Sequence, residues 1–107
     1  MTFTPVYDHN ANMLLGYLGD LTLKGALMVS EEPVMINQIF NLGIEFRITS
    51  EIPANRMIIS AQVAWCKQEE HRTYYNTGME FLGMAEKNKE TIEAILKKYQ
   101  FSREMPK

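Results

Sequence analysis

The sequence predicts an all-β antiparallel barrel or sandwich with one C-terminal α-helix. Two observations carry this. From Met13 to Leu82 apolar residues recur with period two, in short runs separated by Gly, Pro, Asn and Asp, as half-buried strands do. Beyond Asn88 the period lengthens, and Ile92, Ile95, Leu96 and Tyr99 stand at the i, i+3, i+4, i+7 spacing of one helix face. A chain of 107 residues is expected to form a single domain over 1–107 with one core.

The elements follow in order. Phe3 to Tyr7 suits an edge strand, because Pro5 cannot donate a ladder hydrogen bond. Asp8 to Asn12 is a turn cluster. Met13 to Leu21 reads as a strand bent or bulged at Gly16 and Gly19. A second strand spans 24–30 and is broken by Glu31-Glu32-Pro33. Strand 38–49 places Leu42, Ile44, Phe46 and Ile48 on one face, and Ser50 to Asn55 is a loop. Strand 56–66 aligns Ile59, Ala61, Val63 and Trp65, and Lys67 to Arg72 is a charged connection. Strand 74–82 aligns Tyr75, Thr77, Met79 and Phe81; Tyr74 and Tyr75 point to opposite faces, so one of them is core and the other a candidate contact residue. The helix is expected over about 88–100 with Asn88 as its N-cap, and 102–107 forms a polar tail. The expected core is Leu42, Ile44, Phe46, Ile59, Val63, Trp65, Met79 and Phe81.

Composition narrows the function classes. The chain is 46% hydrophobic and 22% charged, which fits a globular protein. Its net charge of −2 argues against a dedicated nucleic-acid binder, which needs a basic stripe. The lone Cys66 excludes an internal disulfide and a Cys-rich zinc site, and it fits a reducing compartment. The N-terminal residues lack the basic and apolar regions of a signal peptide, and no window has the length of a membrane span. A soluble cytoplasmic protein is expected.

The segment with the most chemical content is Asp20-Leu21-Thr22-Leu23-Lys24-Gly25, written Asp-x-Thr-x-x-Gly. Asp and Thr hydrogen-bond to turn backbones, and Gly permits either an unusual backbone angle or a close approach. Turn chemistry alone accounts for these residue types, and contact with a nucleotide is the sharper alternative. His9 and His71 read as solvated loop residues without metal-ligand spacing, and Cys66 as a small packed side chain. Trp65 reads as core, with a base-stacking platform as the alternative, and most of the eight methionines read as gap-filling core. No Ser-His-Asp order, phosphate-cradling Gly-rich loop or catalytic carboxylate pair is present, so no enzyme, metal or resident cofactor is expected.

The layout resembles the PilZ domain family. The resemblance rests on Gly19-Asp20-Leu21-Thr22-Leu23-Lys24-Gly25-Ala26-Leu27-Met28, then Ala61-Gln62-Val63-Ala64-Trp65-Cys66, then Gly78-Met79-Glu80-Phe81-Leu82, and it covers nearly the whole chain. It implies a six-stranded antiparallel β-barrel with a C-terminal α-helix, and a bacterial module of cyclic di-GMP signalling. The family hallmark is Asp/Asn-x-Ser-x-x-Gly, and Thr22 keeps the hydroxyl. By this resemblance Asp20, Thr22, Lys24 and Gly25 are the candidate cyclic di-GMP contacts.

One departure bears directly on binding. Family members that bind cyclic di-GMP carry Arg-x-x-x-Arg before the first strand, where planar guanidiniums clamp phosphate and stack on guanine. This chain has no arginine before Arg47, and Met1 stands only a few residues ahead of the first expected strand. Lys24 offers a point charge without a stacking plane. Losing several charge-assisted bonds, each worth about 1.5–3 kcal/mol, moves a micromolar site to about millimolar. The expectation is a non-enzymatic adaptor with an unidentified protein partner, binding cyclic di-GMP weakly or not at all. The alternatives are a genuine cyclic di-GMP receptor using the Asp20–Gly25 turn, with Arg47, Arg56 or Arg72 supplying cations, and an OB-like barrel for single-stranded nucleic acid.

Overall fold

The computed structural model describes residues 3–46 and 56–98. The elements in order are β1 (Pro5–Asp8), β2 (Met13–Leu21), β3 (Gly25–Ser30), β4 (Ile39–Glu45), β5 (Arg56–Gln68), β6 (Tyr75–Phe81) and α1 (Glu86–Lys98). Every strand pairing is antiparallel. The order β1-β2-β3-β6-β5-β4 returns from β4 to β1, so the sheet is a closed barrel and the sandwich alternative falls away.

Closure changes the place of β1. It was expected at an edge, yet it pairs with β2 on one side and with β4 on the other, Val6 standing opposite both Gly16 and Ile44. Pro5 is tolerated because it is the first residue of the strand and the pairing with β4 begins only at Val6. β2 is irregular, as its glycines predict: its register slips against β3 between Leu18 and Asp20, and against β1 between Gly16 and Leu14.

The core lies inside the barrel and is closed by the helix. Val6, Leu18, Leu21, Met28, Leu42, Ile44, Phe46, Ile59, Val63, Met79 and Phe81 are all buried. Ile92 and Ile95 of α1 are fully buried in the same cluster. Seven of the eight expected core residues are therefore inside, and Trp65 is not, being 46% exposed. The cause is a β-bulge. Along β5 the buried residues alternate through Met57, Ile59, Ala61 and Val63, but the register against β6 slips between Val63 and Trp65. The extra residue, Ala64, throws Trp65 out of the inward phase that strict alternation assigned to it.

The helix also differs from the expectation. It starts at Glu86, so Asn88 lies within the first turn and is not the N-cap. Its side-chain amide instead donates to the Ile58 carbonyl of β5 at 3.0 Å and ties the helix to the barrel. Leu96 is exposed, because the buried stripe of α1 is narrow and is filled by Ile92 and Ile95 with half-buried Asn88, Thr91 and Ala94 beside them. β5 extends to Gln68 and takes in part of the expected charged connection. The expected strand residues Arg47–Thr49, the helix residues Tyr99 and Gln100 and the tail 102–107 lie outside the described residues.

Candidate functional site

The Asp20–Gly25 turn joins β2 to β3, and most of its polar capacity is turned inward. The Thr22 N–H donates to the Gly25 carbonyl at 2.9 Å. The Thr22 hydroxyl accepts from the Lys24 N–H at 3.1 Å and the Gly25 N–H at 3.2 Å, and lies 3.3 Å from the Gly25 carbonyl to which it donates. Asp20 Oδ1 accepts from the Leu21 N–H at 2.9 Å. Across the barrel wall, the Phe81 N–H of β6 donates to the Lys24 carbonyl at 2.9 Å. Gly25 has no positive φ, so the close-approach reading of it holds: a Cβ there would collide with the Met79 carbonyl oxygen of β6.

These four residues come together. Asp20, Thr22, Lys24 and Gly25 line one open cleft of about 350 Å³ on the outer wall of the barrel. The cleft continues over Ala26 and Leu27 of β3, Gly78, Met79 and Glu80 of β6, and Ala64 and Trp65 of β5. Trp65 stands directly opposite Gly78, and its indole covers the space that a side chain on residue 78 would occupy. It is held against the sheet on one side and open to solvent on the other. That arrangement supplies a flat aromatic surface for stacking beside the turn.

Among the described residues the cleft carries more carboxylate than cation. The charged side chains that line it, of the described residues, are the carboxylates of Asp20 and Glu80 and the ammonium of Lys24. Arg56 does not help, because it is engaged elsewhere. Its guanidinium bonds Glu45, stacks 4.6 Å from the Tyr7 ring centroid and lies 3.2 Å from His9 Nδ1. Arg72 is an exposed residue of the β5–β6 turn and does not line the cleft, and Arg47 lies outside the described residues.

Several residues stand elsewhere than the sequence pattern predicts. Trp65, Gly78 and Glu80 belong to the cleft although the sequence alone put Trp65 in the core. A glycine inside a strand was the available signal, since it marks a close approach. His9 is half-buried against Arg56 and not simply solvated, whereas His71 is exposed and beside Glu70. Cys66 is a packed side chain that accepts a hydrogen bond from the Thr77 hydroxyl at 3.4 Å. Tyr74 and Tyr75 are both half-buried, and neither lines the cleft.

Comparison with known proteins agrees with this architecture. The model of the PilZ domain family matches residues 2–98 of the chain. The structure of K. pneumonia MrkH in its apo state is similar in fold, with a TM-score of 0.65 at 16% sequence identity. The alignment covers 90% of this chain and 45% of the MrkH chain, so the chain spans less than half the length of that neighbour. No curated protein matches the sequence.

Proposed function

The chain belongs to the PilZ domain family, and on that premise we propose that it is a non-enzymatic module of bacterial cyclic di-GMP signalling. In this reading it acts through contacts with another protein and holds the dinucleotide weakly or not at all. The observation that carries the reading is the charge of the cleft. Cyclic di-GMP brings two phosphates, and among the described residues of the cleft Lys24 is the cation that meets them, beside the carboxylates of Asp20 and Glu80. The Thr22 hydroxyl is already committed within its own turn. A carboxylate can accept from a guanine edge, but it repels phosphate, and in a solvent-open cleft a lone ammonium adds little.

The direct-receptor reading has one observation in its favour. Trp65 presents an open indole face next to the Asp-x-Thr-x-x-Gly turn, where a guanine could stack. The family match and the acidic cleft both favour either PilZ reading over an OB-like nucleic-acid barrel, which requires a positive groove. No helix among the described residues is long and apolar enough to cross a membrane, and a cytoplasmic setting is part of the proposal. Trp65 is the chain's single tryptophan, so its emission reports on the cleft directly. Titration with cyclic di-GMP is expected to leave that emission unsaturated at low micromolar ligand. A saturating change in that range would favour direct sensing.

A further inference from the structure

A second surface, at the opposite end of the barrel from α1, has the character of a docking groove. The segment from Glu31 to Gln38 crosses this end between β3 and β4 and is pinned along its length. The Ser30 hydroxyl donates to the Glu32 carbonyl at 2.7 Å, the Asn37 N–H donates to the Val63 carbonyl at 2.8 Å, and the Val63 N–H donates to the Gln38 carbonyl at 2.9 Å. Half-buried Val34 packs against the core between these anchors. Between the segment and the start of β2 lies a groove of about 370 Å³, lined by Met13, Leu14 and Tyr17 on one side and by Pro33 and Val34 on the other.

Large apolar side chains are exposed here where the fold has no use for them. Met13 is 63% exposed and Leu14 48%, and Met35 and Ile36, next to Val34 in the chain, are 74% and 58% exposed. Ile39, at the same end of the barrel by its position in β4, is 60% exposed. The methionines expected to fill core divide accordingly: Met28, Met57 and Met79 are buried, whereas Met13 and Met35 project outward. An apolar surface of this kind rimmed by charge marks an interaction site. The charge is of one sign. Glu31 and Glu32 line the groove, and no lysine or arginine among the described residues does.

We propose that this groove binds a short basic–apolar segment of a partner protein. Such a segment lays apolar side chains against Met13, Leu14 and Val34 and directs flanking Lys or Arg to Glu31 and Glu32. Lysine and arginine suit this task because their stems cover apolar surface while the charged head reaches outward. The acidic pair decides between occupants. A second copy docked by a two-fold contact would bring the glutamates of both copies toward one another. An anionic lipid surface would be repelled. This proposal rests on the adaptor reading and gives it a surface and a partner chemistry.

The test is selection from a displayed library of random 16-residue peptides against the full chain, followed by backbone amide spectra with the enriched peptides. Enriched sequences should pair apolar residues with Lys or Arg and perturb amides of 13–17 and 31–36. The double charge reversal Glu31→Lys with Glu32→Lys should weaken them by about tenfold or more. Met13→Glu, at an exposed position, should do the same with the amide spectrum otherwise preserved. No enrichment, a consensus without basic residues, or perturbations elsewhere would overturn the groove. So would a dimer in sedimentation that Met13→Glu dissociates, or binding to phosphatidylglycerol vesicles. Peptides that map to α1 around Leu96 would overturn the groove and leave the adaptor reading standing. Tight binding of cyclic di-GMP would overturn the adaptor reading whatever the peptides do.

Discussion

The indole of Trp65 and the missing side chain of Gly78 form one unit. They are directly opposed across β5 and β6, and a Cβ on residue 78 would overlap the indole nitrogen. The bulge after Val63 brings Trp65 out of the core, and Gly78 gives it a flat bed on the outer wall. Both residues line the cleft beside the Asp20–Gly25 turn.

Gly78→Ala should therefore displace the indole without breaking the barrel. Trp65 is partly open to solvent, so it can swing outward, and its fluorescence should shift to the red. Gly25→Ala meets a backbone carbonyl instead of a movable side chain, so its cost should be larger, about 1–3 kcal/mol or more. Emission spectra and urea midpoints of the two variants check this. An unshifted spectrum for Gly78→Ala would contradict the contact.

Phe46→Ala should cost about 3–5 kcal/mol, since Phe46 is only 4% exposed within the core cluster. Trp65→Ala should cost clearly less, because the indole lies on one wall and not inside. Chemical denaturation of the two variants gives the comparison, and equal losses would return Trp65 to the core.

Removing the Thr22 hydroxyl takes an acceptor from the Lys24 and Gly25 N–H groups. Both residues sit near solvent, which can replace part of the loss, so Thr22→Ala should cost about 0.5–1.5 kcal/mol. Thr22→Ser should restore most of it. If the serine variant is as unstable as the alanine one, the hydroxyl is not what closes the turn.

Asn88→Ala removes the donor to the Ile58 carbonyl. The expected result is faster amide exchange in α1 with little change in β2, β3 and β6, and a loss of about 0.5–1.5 kcal/mol. Uniform acceleration across the barrel would show instead that helix and barrel open as one unit.

The strands were legible because half-buried strands declare themselves locally through period-two alternation, and five of them stand close to where alternation placed them. The closure of the barrel through β1 was not legible. It depends on Val6 meeting Ile44, a long-range pairing that no local pattern around Pro5 contains. The turn half of the cleft was legible because Asp20, Thr22, Lys24 and Gly25 are contiguous. The sheet half was not, because the exposure of Trp65 follows from a register slip against β6 and not from its own neighbours. Asn88 has a capping residue's chemistry, and the structure uses that chemistry on a β5 carbonyl instead.

Isothermal titration calorimetry of the full chain with cyclic di-GMP reads the binding capacity of the cleft directly. Among the described residues the cleft sets Lys24 against the carboxylates of Asp20 and Glu80, which leaves two phosphates poorly neutralised. No saturable heat is expected at low micromolar ligand. A tight, stoichiometric complex would contradict that expectation and would make Arg47, Arg56 and Arg72 the first residues to replace in the search for its cations.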